Sequence, residues 1–190
     1  MEMKNKQKLI RITGPSITNL EVKYVTEAAK HGWFENHSKY IKEFEKEFAK
    51  YIGVKYAIAT SSCHGAMHLG LAGLGLKEGD EVILPDVTWI ASAAVVKYVG
   101  AEPVFVDIDP LTWCIDPTKI EAAITSKTKA IMPVTMYGHS PAMKEIIAIA
   151  KKHGLYVVRM LPRLWGRHIT EKGREVSEIL ALSVFMEQKL

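Results

Sequence analysis

Residues 81–108, EVILPDVTWIASAAVVKYVGAEPVFVDI, decide the fold. EVILP (81–85) and PVFVDI (103–108) are apolar runs of strand length, and the residues between them, about 89–99, have the small and branched apolar character of a buried helix. Strands this apolar have no wet face. They belong in a sheet covered on both sides, and a strand–helix–strand unit of this length makes neighbouring strands parallel.

The unit repeats in both directions. Upstream, YAIAT (56–60) reads as a strand and HGAMHLGLAGLGL (64–76) as a helix rich in small residues. Downstream come a helix at 116–124, a strand KAIMPV (129–134), a helix PAMKEIIAIAKKHG (141–154) stopped by Gly154, and a further strand opening at LYVV (155–158). Ahead of the repeats, a helix is predicted over 14–32, entered through Pro15 and Ser16 and closed by Gly32. A second is predicted over 38–50, with Ser38 as its cap and Tyr40, Ile41, Phe44 and Phe48 on one stripe. The predicted class is therefore α/β, a mostly parallel sheet with helices on both faces.

Composition narrows the function classes. A net charge of +4 spread over 190 residues makes no basic patch, so no nucleic-acid partner is expected. No apolar run reaches the roughly 18 residues of a membrane span, and the N-terminal residues lack the apolar core of a signal peptide. The two cysteines, Cys63 and Cys114, fit a reducing compartment, and a cytoplasmic location is expected. The histidines and carboxylates show no metal-ligand spacing.

In an open α/β sheet, ligands gather at the carboxyl ends of the strands. Three such ends carry candidate residues. At ATSSCHGAMH (59–68), the helix start at His64–Gly65 offers free backbone N–H groups and a favourable dipole for a phosphate; an ordinary capped turn has the same spacing. At LPDVTWI (84–90), Trp89 is placed to stack on a planar ring or to pack as core. At VTMYGHSPAM (134–143), His139 follows Tyr137 and Gly138 in a turn and reads more readily as a polar loop residue than as a ligand contact. A Cys63–His64 nucleophile is disfavoured, because neighbours in a turn rarely face each other and no orienting third group is visible.

Together, SSCHGAMH (61–68), GDEVILPDVTW (79–89) and YGHSPAM (137–143), in this order, resemble the DegT/StrS-type nucleotide-sugar aminotransferases, pyridoxal-phosphate enzymes of fold type I. The resemblance covers about residues 9–158. It implies an incomplete large domain of a fold type I transferase, with pyridoxal phosphate as cofactor, glutamate and a keto-sugar nucleotide as substrates, and a homodimer. It also implies that His64 and Gly65 hold the cofactor phosphate and that Trp89 stacks on the ring. His64 departs from the Thr or Ser usual there, a change that a backbone contact survives and a hydroxyl contact does not.

The resemblance implies two further groups after the fifth strand: a Glu-Asp-Ala, whose Asp pairs with the ring nitrogen, and a later Ser-Phe-x-x-x-Lys, whose Lys forms the Schiff base. This chain has Arg159, Met160 and Leu161 at the first place, and four Arg fall within residues 159–174. A one-base frame slip at the Val158 codon accounts for both. The codon straddling Met160 and Leu161 must encode Ala or Val. Trp165 with Gly166 forces Gly, Phe185 with Met186 forces Tyr or His, Met186 with Glu187 forces Gly, and Gln188 with Lys189 allows only Lys or Glu. One self-consistent reading restores both motifs, with the Asp straddling Arg159 and Met160 and the Lys straddling Gln188 and Lys189. Residues 1–158 are thus expected to be the N-terminal part of the cofactor-binding domain. Residues 159–190 are expected to be an out-of-frame, non-native tail, in which Ser183 and Lys189 are not the family Ser and Lys. No catalytic residue is assigned to this chain, which is expected to be inactive; the alternative is a non-catalytic remnant or interaction fragment.

Overall fold

The computed structural model describes residues 16–161 and 183–187. They fall into two compact units, one up to Ala59 and one from Thr60 onward.

The first unit holds α1 (Asn19–His31) and α2 (Lys39–Ile52), joined by a short 3-10 turn at Phe34–Asn36. The α1 start lies later than the sequence predicts because Thr18 makes a full capping box: its hydroxyl accepts from Leu20 N–H, and the Glu21 carboxylate accepts from Thr18 N–H. Gly32 closes the helix as expected. Ser38 precedes α2 without a side-chain cap bond, and Gly53 ends it in the left-handed conformation (φ 81°). The predicted α2 stripe packs partly on itself, with Phe44 and Phe48 stacked at 5.5 Å. Tyr24 of α1 meets Tyr40 of α2 edge-on at 6.1 Å. None of α1 is buried.

The second unit carries α3 (Cys63–Gly73), β1 (Glu81–Pro85), α4 (Ile90–Tyr98), β2 (Glu102–Val106), α5 (Pro117–Ile120), β3 (Thr128–Ile131), α6 (Met143–His153), β4 (Tyr156–Leu161) and β5 (Ser183–Glu187). The sheet order is β2-β1-β3-β4-β5, parallel through β4, with β5 antiparallel to β4. Alternation along each strand feeds two cores. Val82, Leu84, Ala130, Met132, Val158 and Met160 face one side, with Met67 and Leu71 of α3 and Val95 and Val96 of α4. Ile83, Ile131 and Val157 face the other, with Ile120 of α5 and Ile146 and Ala150 of α6. This is the α/β sheet, covered on both faces, that the apolar runs imply.

Two expectations change. YAIAT is not a strand: residues 56–60 have no regular secondary structure, with Tyr56 and Ile58 exposed. An apolar run becomes a strand only beside a partner strand, and here the Ala59 N–H donates instead to the Glu45 carboxylate at 2.8 Å. β4 also runs three residues past Val158, through Arg159 and Met160 to Leu161, and its register continues onto β5. Most of the tail reading, residues 162–182 and 188–190, lies outside the described residues.

Candidate functional site

The carboxyl edge of the parallel strands is built from the loops after β1, β2 and β3 and the end of β4. After β1, Thr88 and Trp89 lead into α4, with Trp89 in the cap position and its side chain exposed. One turn into α4 sits Ser92, fully buried in an otherwise apolar face. Its hydroxyl contacts the Thr88 hydroxyl at 2.9 Å and donates to the sulfur of Met160 at 3.6 Å. Met160 is buried at the end of β4, and its carbonyl accepts from Thr135 N–H at 3.2 Å. Among the described residues, the buried Thr135 hydroxyl has no hydrogen-bond partner.

The loops after β2 and β3 are tied together. Asp109 accepts from the N–H groups of Leu111 at 2.8 Å and Thr112 at 2.9 Å, and those two bonds hold its carboxyl below the usual range, Thr112 contributing more. The turn ends at Trp113, whose φ is 60°. Tyr137, on the β3 loop, has a φ of 46°, and the two rings meet edge-on at 6.4 Å. The Cys114 thiol donates to the His139 carbonyl at 3.2 Å, and burial pushes that thiol's pKa up. His139 thus serves the loop through its backbone, as its position in the sequence suggests.

The α3 start is a well-made helix N-terminus. Ser62 caps it, accepting from Gly65 N–H at 3.1 Å. The N–H groups of Cys63 and His64 occupy first-turn positions that have no acceptor within the helix. The His64 ring lies edge-on to Tyr98 at 5.2 Å, and His68, one turn on, lies 5.8 Å from the same ring. Tyr98 ends α4 while Trp89 precedes it, roughly 13 Å apart along the helix axis at 1.5 Å per residue. No contact among the described residues brings the His64 and Trp89 side chains together. The segment leading into α3, residues 56–60, has no regular secondary structure.

Half-burial raises the Cys63 pKa, the opposite of what a thiolate nucleophile needs. Among the described residues no cluster of three or more His, Cys, Asp or Glu is placed to hold a metal ion, and no helix is long and apolar enough to cross a membrane. Sequence reading missed Ser92 and Thr88. The available signal was a polar residue inside the apolar run IASAAVV (90–96).

The description DegT/DnrJ/EryC1/StrS aminotransferase family fits residues 15–185. The chain belongs to that family. It is 42% identical over 178 residues to a GDP-perosamine synthase of Escherichia coli O157:H7, a match covering 94% of this chain and 48% of that protein. It is 46% identical over 149 residues to the GDP-perosamine synthase of Caulobacter vibrioides, covering 78% of this chain and 40% of that one. The solved structure of NtdA from Bacillus subtilis with bound cofactor PMP superposes with a TM-score of 0.67 at 40% identity, over 75% of this chain and 34% of the other. The chain spans about half the length of the curated relatives it matches.

Members of the family bind this cofactor, and the first-turn N–H groups and small residues Ser61, Ser62 and Gly65 of this chain suit a phosphate. The buried group at the end of β4 is a thioether, which carries no charge.

Proposed function

We propose that this chain is the N-terminal part of a pyridoxal-phosphate-dependent aminotransferase that moves an amino group from glutamate to a keto-sugar nucleotide, and that as written it does not turn over. The observation that carries the reading is Met160. It occupies the buried end of β4, beside the start of α4, and a hydroxyl is aimed at its side chain. That is one buried hydroxyl set against a methionine in an otherwise apolar core, at the position where the frame reading restores an Asp.

In this proposal the α3 start at His64 and Gly65 receives the cofactor phosphate, and Trp89 stacks on the ring. The cofactor, when bound, supplies an electron sink. This chain's residues contribute phosphate binding and ring packing. They contribute neither the ring-nitrogen acid nor an assigned amine. We further propose that residues 159–190 are read out of frame, that the protein is cytoplasmic, and that it works as a homodimer. Support for the dimer comes from α1, which buries none of its residues and leaves Leu20, Val22 and Val25 exposed.

Borohydride reduction with pyridoxal phosphate tests the reading. The purified chain is expected to give no site-specific lysine adduct, while the chain corrected by one base at the Val158 codon gives one. A stoichiometric adduct on a single lysine of the uncorrected chain contradicts the reading.

A further inference from the structure

We propose that Ser92, held by Thr88, is a positioning residue for a carboxylate at position 160. The argument begins with proton bookkeeping. A serine hydroxyl has one proton, and that of Ser92 is directed at the Met160 sulfur, 3.6 Å away. In the 2.9 Å contact between the two hydroxyls either can donate, and when the Ser92 proton is given to residue 160, Thr88 is the donor. That arrangement is a relay, Thr88 to Ser92 to residue 160.

That polarity is wasted on methionine. A thioether sulfur is a weak acceptor, and a fully buried hydroxyl is costly to leave poorly paired. It suits a carboxylate. The sulfur of Met160 is the third atom out from its Cα, and so is a carboxylate oxygen of aspartate. The same backbone therefore aims an oxygen along the direction of the sulfur and slightly short of it, and a hydroxyl–carboxylate bond of roughly 2.5–2.7 Å forms only if the two side chains close the remaining gap. Such a bond favours the ionised form and opposes the upward push of burial. Among the described residues, the titratable groups packed against the same core are Cys63 of α3 and Tyr156 of β4, and Arg159, next along β4, turns its guanidinium to the Ser140 hydroxyl at 3.1 Å.

The inference deepens the functional reading, yet its test uses no cofactor and no sugar. Met160→Asp is made in the full 190-residue chain, and the carboxyl at position 160 is titrated by carbon-13 NMR, with Ser92 intact and with Ser92→Ala. The carboxyl is expected to titrate about one pH unit lower with Ser92 present. Thr88→Ala is expected to shift it the same way by less. Identical titrations overturn the proposal. Where Met160→Asp does not fold, Met160→Asn carries the test through a double-mutant cycle. Ser92→Ala is then expected to lower Tm by a few degrees more beside Asn than beside Met, and equal losses overturn the proposal. A one-base-corrected chain that gives no lysine adduct with pyridoxal phosphate, beside a Met160→Asp chain that shows the shift, sinks the functional reading alone. An adduct on the corrected chain without the shift sinks this one alone.

Discussion

The Gly65 N–H donates to the Ser62 hydroxyl at 3.1 Å, so the cap of α3 already holds one of the donors that a phosphate at this helix start would use. A Cβ added at Gly65 would meet nothing nearer than that hydroxyl, at 3.5 Å. The backbone therefore does not require glycine. Gly65→Ala is expected to stabilise the cofactor-free chain by about 0.5–1 kcal/mol, since glycine inside a helix is penalised by that much. If the phosphate binds at this helix start as proposed, the same change is expected to weaken binding of pyridoxal phosphate, because the added methyl group would crowd its approach. Thermal unfolding and equilibrium dialysis should give opposite signs.

Removing the cap acts the other way. Ser62→Ala leaves the Gly65 N–H without its partner and is expected to cost about 1 kcal/mol, read as a lower urea midpoint with an unchanged slope. An unchanged midpoint would mean that the α3 start is not formed in solution.

Gly100 makes the corner between α4 and β2 with a φ of 80°, and a Cβ there would lie 3.3 Å from the Glu78 nitrogen. Gly100→Ala combines a left-handed residue with a backbone neighbour that cannot swing aside. A loss of about 1–2 kcal/mol is expected, measured by denaturant unfolding, and a neutral result would show that this corner is built differently.

Asp109 gives a pH prediction. Its folded pKa lies below the usual value because it accepts the Thr112 and Leu111 N–H groups. A depressed carboxyl stabilises the fold above its unfolded pKa, about 3.9, and that contribution is lost as the pH falls through the lower folded value. The indole N–H resonance of Trp113, on the turn those bonds organise, is expected to move over that acid range. Asp109→Asn should abolish the movement.

Much of the fold was legible because side-chain alternation and apolarity act locally. Val82, Ile83 and Leu84 announce a strand buried on both faces, and the structure sends Val82 and Leu84 to one core and Ile83 to the other. YAIAT has the same local character and fails, because pairing is supplied by another segment and cannot be read from five residues. The site was legible only in part. Trp89 and the α3 start stand out by residue type, but their separation along α4 depends on how α3 packs. Ser92 looked like one more small residue in a small-residue helix, and only the 3.6 Å approach of Met160, 68 positions away in sequence, gives it a role.

The most direct test sets the 190-residue chain beside its one-base-corrected counterpart, at matched soluble protein, in an assay of glutamate-dependent amination of a keto-sugar nucleotide. The corrected chain is expected to turn over. The uncorrected chain, with Met160 where the frame reading restores an Asp and with no assigned Schiff-base amine, is expected to fall short by several powers of ten. Comparable turnover from the two would contradict both the frame reading and the assignment of position 160.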